Sequence, residues 1–460
     1  MKTNDLLLLI EQLREELSSL KKELVAIKKE NQQLKRRLSK YETPKTSRNS
    51  SLPPSKDENS PKANQSLRKA SGKKVGGQFG REGKTLEMTS TPDEIIELHP
   101  DYCNSCGASL KESLATKEQS RQTIDIPPIK AVYTEYQAFS KICNCGCQTI
   151  ANFPKNVTTP VSYGTTIESL IGYFYARQYL PFSRMQEVFN DVFNINISEG
   201  GIHYLLNRFA NKTEDIYQTI KQRVAISKVV GADETGVKVN GNKHWFWTWQ
   251  TDKLTYITHS SNRKFDTVKE HFEYGFPNST LVHDGWKPQM KTIAENHQNC
   301  VPHLLRRLNY LNQRYPKSSW GVNFKKLLYK ALNLKKIMQS QDYKNNVKRD
   351  AIIQELEELL SRPPDKQYKE LFSFFKRIKR EQQTLFVFLF LKKVPADNNA
   401  SERAIRNVKV KQKISGQFKK IETAQNFAKI RSVIDTTIKN GMNIIAALNL
   451  IAKFDFQFED

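Results

Sequence analysis

From Leu6 to Tyr41 large apolar residues recur with a period of seven, and few architectures accept that spacing. Leu6, Leu13, Leu20, Ile27, Leu34 and Tyr41 form one series; Ile10, Leu17, Leu24, Asn31 and Leu38 form the interleaved one. Read as heptad d and a positions, they make a seam suited to a parallel two-stranded coiled coil, a leucine zipper, rather than to a helix lying on a broad core. Asn31 at an a position pairs with its own copy across such a homodimer and fixes register and strand number, at some cost in stability. Glu16, Glu23 and Glu30 at g positions face Lys21, Lys28 and Lys35 at e positions of the partner, so charge favours the same pairing.

The 460-residue chain is long enough for two or more domains, and 38% hydrophobic residues supply material for cores. Its 73 Lys and Arg against 48 Asp and Glu leave a net charge of +25, which points to an anionic polymer as partner, because each neutralised phosphate releases counterions. The longest apolar run, Leu385 to Leu391, falls far short of the roughly 20 residues that span a bilayer and is expected to be buried helix. With no membrane insertion and a charged, periodic start in place of a secretory leader, a cytoplasmic, nucleoid-associated protein is expected.

Thr43 to Lys84, rich in Ser, Pro, Lys, Asn and Gly, reads as a flexible basic linker; its GKKVGGQFGREGK part either lies along a phosphate backbone or is a plain tether. Five of the six cysteines follow, Cys103, Cys106, Cys143, Cys145 and Cys147. In a reducing compartment they favour metal over disulfides. Two β-like runs, Thr123–Ile126 and Val132–Phe139, predict a hairpin joining CNSCG to CNCGC, so that four of the five thiols hold a structural zinc ion. Which of Cys143, Cys145 and Cys147 bind is open, and His99 is a spare ligand.

Thr165 to Asn211 is helical by pattern. Ser183 and Gln186 predict a capping box for a helix to Phe193, and Ser198 caps a second helix through Phe209. The pair resembles a helix-turn-helix whose second helix carries His203, Asn207 and Arg208 for a DNA groove; equally, the helices only pack on a core.

Strand signals come next, at Lys228–Ala232, His244–Gln250, Leu254–His259 and Ser279–His283, with a helix over Phe265–Phe272. Three antiparallel strands followed by a helical crossover place the fourth beside the first. Asp233 and Asp284 then stand at neighbouring strand ends, each before a glycine-containing turn, an arrangement that turn chemistry alone also explains. Val301 to Lys393 is basic and helical, its Lys and Arg rows either tracking DNA or solvating a bundle. Asn398 or Asn399 caps a further helix that carries Glu402, Arg406 and Lys409 on one face, and two amphipathic helices separated near Gly441 close the chain.

Taken together, NSSLPPS, GGQFGREG, the cysteine module, RQYLPFSRMQEVF with ISEGGI, GADETGVKVNG, LVHDGWKP, CVPHLLRRL and NNASERAIRNVKVKQKISGQF resemble the transposases of the insertion sequence sixty-six family across nearly the whole chain. That resemblance implies a DDE-type enzyme with a ribonuclease H-like core in which Asp233, Asp284 and Glu402 form the triad. The 118-residue step from Asp284 to Glu402 then contains the helical insertion. Three such carboxylates hold two magnesium ions about 4 Å apart, with manganese as a substitute, for phosphodiester hydrolysis and transesterification. Lys409 and Arg406 would position DNA phosphate beside Glu402, and Cys300 and His303 match a family motif without an assigned chemistry, as a buried structural pair or a metal site.

The expected organisation is multidomain α+β. It comprises a coiled-coil helix at 1–42, a linker at 43–90, a zinc ribbon-like module at 91–154 and a helix-turn-helix region at 160–222. The catalytic core spans 223–300 and 396–435 around an insertion at 301–395, and a helical segment at 436–460 ends the chain. The expected partners are double-stranded DNA, both terminal inverted repeats and target, a second copy of the chain, and accessory proteins of the same element. The alternative is a catalytically inactive DNA-binding regulator or assembly factor with the same fold. The acid next to Asp233, Glu234, is expected on the opposite strand face and out of the chemistry.

Overall fold

The computed structural model describes residues 3–42, 44–46, 49–50, 80, 86–127, 129–154, 157 and 159–454, with side chains from Glu11 onward except at 12, 35–37, 39–40 and 42. Most of the expected linker, including nearly all of GKKVGGQFGREGK, and the side chains of Leu6, Ile10 and Lys35 therefore lie outside the described residues. The chain divides into two compact units, one within Met1–Pro61, Glu135–Asp191 and Ile195–Asp460 and the other within Lys62–Thr134 and Val192–Asn194.

The heptad segment forms one helix, α1 (Thr3–Glu42). Leu13, Leu17, Leu20, Leu24, Ile27, Leu34 and Leu38 stay 49–63% exposed, so the apolar seam is not absorbed by the rest of the chain. After it, Asn49 is buried: its side chain accepts from Thr46 N (2.7 Å) and donates to Gln313 (3.0 Å), seating the start of the linker on the helical region.

The two β-like runs expected between the cysteine groups are not strands. Ile124, Val132 and Tyr133 are 83–90% exposed, and without a facing strand their intrinsic preference does not make a sheet. The hairpin forms later and shorter, β1 (Ser140–Ile142) against β2 (Gln148–Ile150), flanking the second cysteine group.

Four helices follow, α2 (Thr165–Ala176), α3 (Phe182–Phe193), α4 (Glu199–Lys212) and α5 (Glu214–Ala225). Ser198 caps α4 by accepting from Gly201 N. Ser183 makes no capping box: α3 already starts at Phe182, with Met185 N donating to Pro181 O (3.0 Å), which leaves Ser183 inside the first turn.

The sheet comprises β3 (Val229–Val239), β4 (Asn242–Gln250), β5 (Thr255–Ser260), β6 (Phe276–His283) and β7 (Ala294–Asn299), with α6 (Phe265–His271) and α7 (Lys287–Lys291) in the connections. Its order is β5-β4-β3-β6-β7; β3, β4 and β5 are antiparallel neighbours, whereas β6 and β7 run parallel to β3. The DETG stretch is not a turn: β3 continues through it, and the chain reverses at Asn240 and Gly241, both at positive φ, as a two-residue hairpin requires.

The insertion consists of α8 (Val301–Arg314), α9 (Ser319–Ile337), α10 (Val347–Ser361) and α11 (Lys369–Arg380), packed on a core of their own that includes Leu308, Trp320, Phe324, Leu356, Phe374 and Ile378. Of the run Leu385–Leu391, expected to be buried helix, Leu385 to Leu389 is buried but Phe390 and Leu391 are 45% and 40% exposed, and the run forms a short 3-10 turn, Val387–Leu389, rather than an α-helix. Side chains satisfy its backbone instead: Gln298 bonds Leu385 O and Phe388 N, and Lys335 takes the carbonyls of Phe388, Leu391 and Lys392.

Three helices complete the fold, α12 (Asn399–Ser415), α13 (Ile421–Lys439) and α14 (Ile444–Lys453). α13 covers the open edge of β5, where Ser432 and Thr436, one helical turn apart, accept from Ile257 N (2.8 Å) and Thr255 N (3.1 Å). The architecture is thus a helical N-terminal region, a mixed sheet and helices around it. Among the described residues no helix is long and apolar enough to cross a membrane.

Candidate active site

The parallel register of β3 and β6 sets the site. Gly231 lies level with Val282, the last pair of that register. Asp233 follows two residues on within β3 and Asp284 follows just past the end of β6, so both acids leave the same end of the paired ladder, near enough for the Asp284 charge to act on Asp233. Asp233 Oδ1 accepts from Glu234 N (2.9 Å). Asp284 Oδ1 accepts from Trp286 N (2.9 Å), a tight turn made possible by Gly285 at φ +83°.

The third acid arrives on α12. Asn398, at the N-cap position, makes no bond to the helix backbone with its side chain: its amide donates to Ala232 O (2.7 Å) and its oxygen accepts from Ser401 Oγ (2.6 Å). The residue before Asp233 is thereby tied to the residue before the helix that carries Glu402. Gly231 permits the approach, since a Cβ there would sit 2.5 Å from Ser401 Oγ and 2.9 Å from Asn398 Oδ1.

Burial, reinforced by the charges of Glu234, Asp284 and Glu402, pushes the Asp233 carboxyl well above the usual carboxylate range. Burial and the charge of Asp284 also raise Glu234, although Arg263 and Gln289 bond it. Glu234, next to Asp233 on β3, is no inert control. Arg263 links it to the Asp284 turn by lying 4.0 Å over the Trp286 ring, so loss of Glu234 would leave the buried Gln289 amide unpaired and the more exposed Arg263 without its carboxylate.

Positive charge surrounds Glu402. Its Oε1 lies 3.5 Å from Arg306 Nη2 and 3.7 Å from His303 Nδ1, and its Oε2 lies 4.0 Å from Arg406 Nη2. Arg406 is 74% exposed beside the site, as its helical spacing requires, whereas Lys409 donates to Gly236 O and fastens α12 to β3. A cavity of about 530 Å³ opens next to Asp284, lined by His303, Arg307, Lys369, Ser373 and Arg377 among others. None of Arg306, Arg307, Lys369, Arg377 and Asn398 stood out in the sequence as a site residue, because their relation to the acids depends on the packing of α8, α11 and α12.

The residues expected to read a DNA groove from α4 are engaged inside the protein. Arg208 pairs with the fully buried Glu168 and donates to Tyr163 O (3.2 Å), Asn207 accepts from Asn426 (2.7 Å), and His203 lies edge-on to Phe182. Of the two readings of this helix pair, these contacts give the three residues the packing role.

The cysteine groups form two turns, in different compact units. Gly107 N donates to Cys103 O (2.9 Å) and Gly146 N to Cys143 O (2.8 Å), each glycine at positive φ. Hydrogen bonds from the Cys106 and Ser105 amides and the Cys106 thiol lower the Cys103 pKa, and the Cys145 amide and thiol do the same for Cys143. Cys147 points instead at Gln148 O.

Residues 161–426, which contain the sheet, the insertion and all three acids, match the model described as "Transposase IS66 family". Residues 3–87 match a family of unknown function (DUF6444). No curated protein matches the chain. Since the first match covers more than half of the 460 residues, the chain belongs to the IS66 family of transposases.

Proposed function

We propose that this protein binds the ends of an insertion sequence and catalyses DNA strand cleavage and strand transfer, with Asp233, Asp284 and Glu402 as its catalytic acids on a ribonuclease H-like core. The observation that supports the reading is that Asp233 on β3 and Asp284 just past the end of the parallel β6 follow the same end of their paired ladder, with the Asn398 bond to Ala232 drawing Glu402 near enough for its charge, like that of Asp284, to act on Asp233.

The acids suit magnesium, with manganese as substitute. Asp233 is raised by burial and by three neighbouring carboxylates, and a divalent cation held by Asp233, Asp284 and Glu402 would relieve that repulsion. Bound there, magnesium supplies activation of a water or 3′ hydroxyl and stabilises charge on the phosphate and leaving oxygen. The chain's own contribution is position and charge. Arg307, Lys369 and Arg377 line the cavity at Asp284 and would hold the strand's phosphates, while Arg406 meets the backbone beside Glu402.

The remaining parts serve assembly. The exposed leucine seam of α1 supports a parallel coiled-coil homodimer, and the grouping of Cys103, Cys106, Cys143, Cys145 and Cys147 in the sequence supports a structural zinc ion on four of the five. Residues 1–42, 43–90, 91–154, 160–222, 223–300 with 396–435, 301–395 and 436–460 are then the zipper, linker, zinc module, helical DNA-binding region, catalytic core, insertion and closing segment. The enzyme works in the cytoplasm on nucleoid DNA, terminal repeats and target alike, together with accessory proteins of its element.

The test uses full-length protein, magnesium, DNA carrying the terminal inverted repeats and the accessory proteins. Wild type should release a 3′ hydroxyl at the ends and join it to target, and Asp233→Ala should do neither. A wild-type protein that neither nicks nor joins removes the enzyme reading, and one that cuts without joining is a nuclease.

A further inference from the structure

Cys300 and His303, which the magnesium chemistry does not use, meet Glu402 at the candidate active site. β7 delivers Cys300, whose amide donates to His283 O (2.8 Å), and α8 begins at the next residue. His303, three positions on, lies one helical turn away on the same side. Glu402 comes to them from α12. One ligand atom from each of the three lies within 4.8 Å of the others, and the His303 Nδ1–Glu402 Oε1 separation is 3.7 Å. His303 Nδ1 is buried and has no hydrogen-bond partner.

We infer that Cys300, His303 and Glu402 form a site for a thiophilic divalent ion of the zinc type, and that its occupation withdraws Glu402 from the magnesium chemistry. The geometry is close to what such an ion needs. Bonds of ~2.0–2.1 Å to nitrogen and oxygen and ~2.3 Å to sulfur, at tetrahedral angles, put donor atoms roughly 3.4–3.6 Å apart. Side-chain rotation covers the remainder. The sulfur is already placed as a metal-bound thiolate would be, because the backbone N–H of Asn398 donates to it at 3.3 Å.

Ligand chemistry separates the two metals. A thiolate and an imidazole nitrogen select zinc or cobalt over magnesium, which takes oxygen ligands. On binding, the Cys300 S–H bond breaks, the proton leaves to solvent and the sulfur–metal bond forms. Three protein ligands leave one tetrahedral position open, and Arg306, now 3.5 Å from Glu402 Oε1, must swing away from the ion. The consequence for Glu402 rests on the transposase reading above; the binding itself does not.

The test therefore reads binding without DNA. Reduced, metal-stripped full-length protein is titrated with Co²⁺, with fold checked by circular dichroism, for wild type, Cys300→Ser and His303→Gln. Because the five-cysteine module also takes cobalt, the readout is the difference. Wild type should bind one more Co²⁺ per chain than either variant and show the stronger sulfur-to-cobalt absorption. Should Cys300→Ser fail to fold, His303→Gln, whose ring is partly exposed, gives the same comparison. Equal stoichiometry in wild type and the folded variants overturns the site. In a second arm, micromolar Zn²⁺ should slow magnesium-dependent DNA cleavage by wild type at least tenfold. An additional Co²⁺ on a protein without magnesium-dependent chemistry upholds the site and removes the reading of the preceding subsection; cleavage indifferent to Zn²⁺ overturns the proposed withdrawal of Glu402.

Discussion

Gly231→Ala probes how the third acid is held. The added Cβ would lie 2.5 Å from Ser401 Oγ, 2.6 Å from Gln250 Nε2 and 2.9 Å from Asn398 Oδ1, where ordinary contacts need about 3.5–4.0 Å. Gln250 can swing its amide aside, but Ser401 and Asn398 belong to the start of α12, so the helix must retreat by roughly 1 Å. Overpacking of this kind costs about 1–3 kcal/mol, and straining the Asn398–Ala232 bond adds about 1 kcal/mol. The catalytic effect should be disproportionate, because a displacement of ~1 Å at a reacting group costs on the order of 100-fold in rate. Single-turnover cleavage of end DNA, compared with the urea midpoint of the same preparation, separates the two. Ser401→Gly in the Gly231→Ala background should return part of the rate, since it removes the nearest obstructing atom. A Gly231→Ala protein with wild-type rate and stability would refute the claim that this glycine sets the approach of α12 to β3.

The other predictions concern packing, charge and assembly. Arg208→Met leaves the fully buried Glu168 with Lys212 alone and should cost about 2 kcal/mol in urea unfolding, below the ~3–5 kcal/mol of a pair broken outright; unchanged stability with lost DNA affinity would return Arg208 to the DNA interface. Lys411 donates to the carbonyls of Tyr179 and Leu180 and lies 4.1 Å over the Tyr175 ring, and burial lowers its pKa to about 7 from an ordinary 10.5. Between these values the unfolded chain holds more protons, so stability contributed by this group rises with pH, by up to ~1.4 kcal/mol per unit, and is absent below pH 7. The stability difference between wild type and Lys411→Met should therefore shift in favour of wild type between pH 7 and 9; a constant difference across that window contradicts the assignment. Leu20→Lys places a charge in the exposed seam of α1 and should dissociate the N-terminal pair in sedimentation, whereas an unchanged dimer would move the main interface elsewhere.

What could be read in the chain, and what could not, follows from where each segment finds its partners. The buried, largely apolar runs within β3, β4, β5 and β6 declared themselves, because a sheet covered on both faces demands them. β7 did not: AENHQN carries no apolar alternation, and its buried Gln298 bonds Leu385 and Phe388 while the Asn299 amide donates to Thr384, all in the insertion. The full length of β3 was legible in principle, since Asn240-Gly241 after Val237 and Val239 is a hairpin signal that outweighs the glycine of DETG. Family resemblance, not spacing, singled out Asp233, Asp284 and Glu402 together, and the bond that brings the last of them in belongs to Asn398, which looked like a helix cap. The polar face of α4 looked like a groove reader for a related reason: a side chain serving a buried acid 40 residues away and one serving DNA have the same sequence pattern.

Whether these acids perform the chemistry is decided by one comparison. Wild type, Asp233→Asn, Asp284→Asn and Glu402→Gln are assayed for strand joining with magnesium, end DNA and the accessory proteins, and for end binding in the same buffer. The account predicts that all four bind ends and only wild type joins them, with a loss of at least 1,000-fold, on the order of a removed catalytic group, in each variant. Joining at the wild-type rate by any one of the three variants would contradict it.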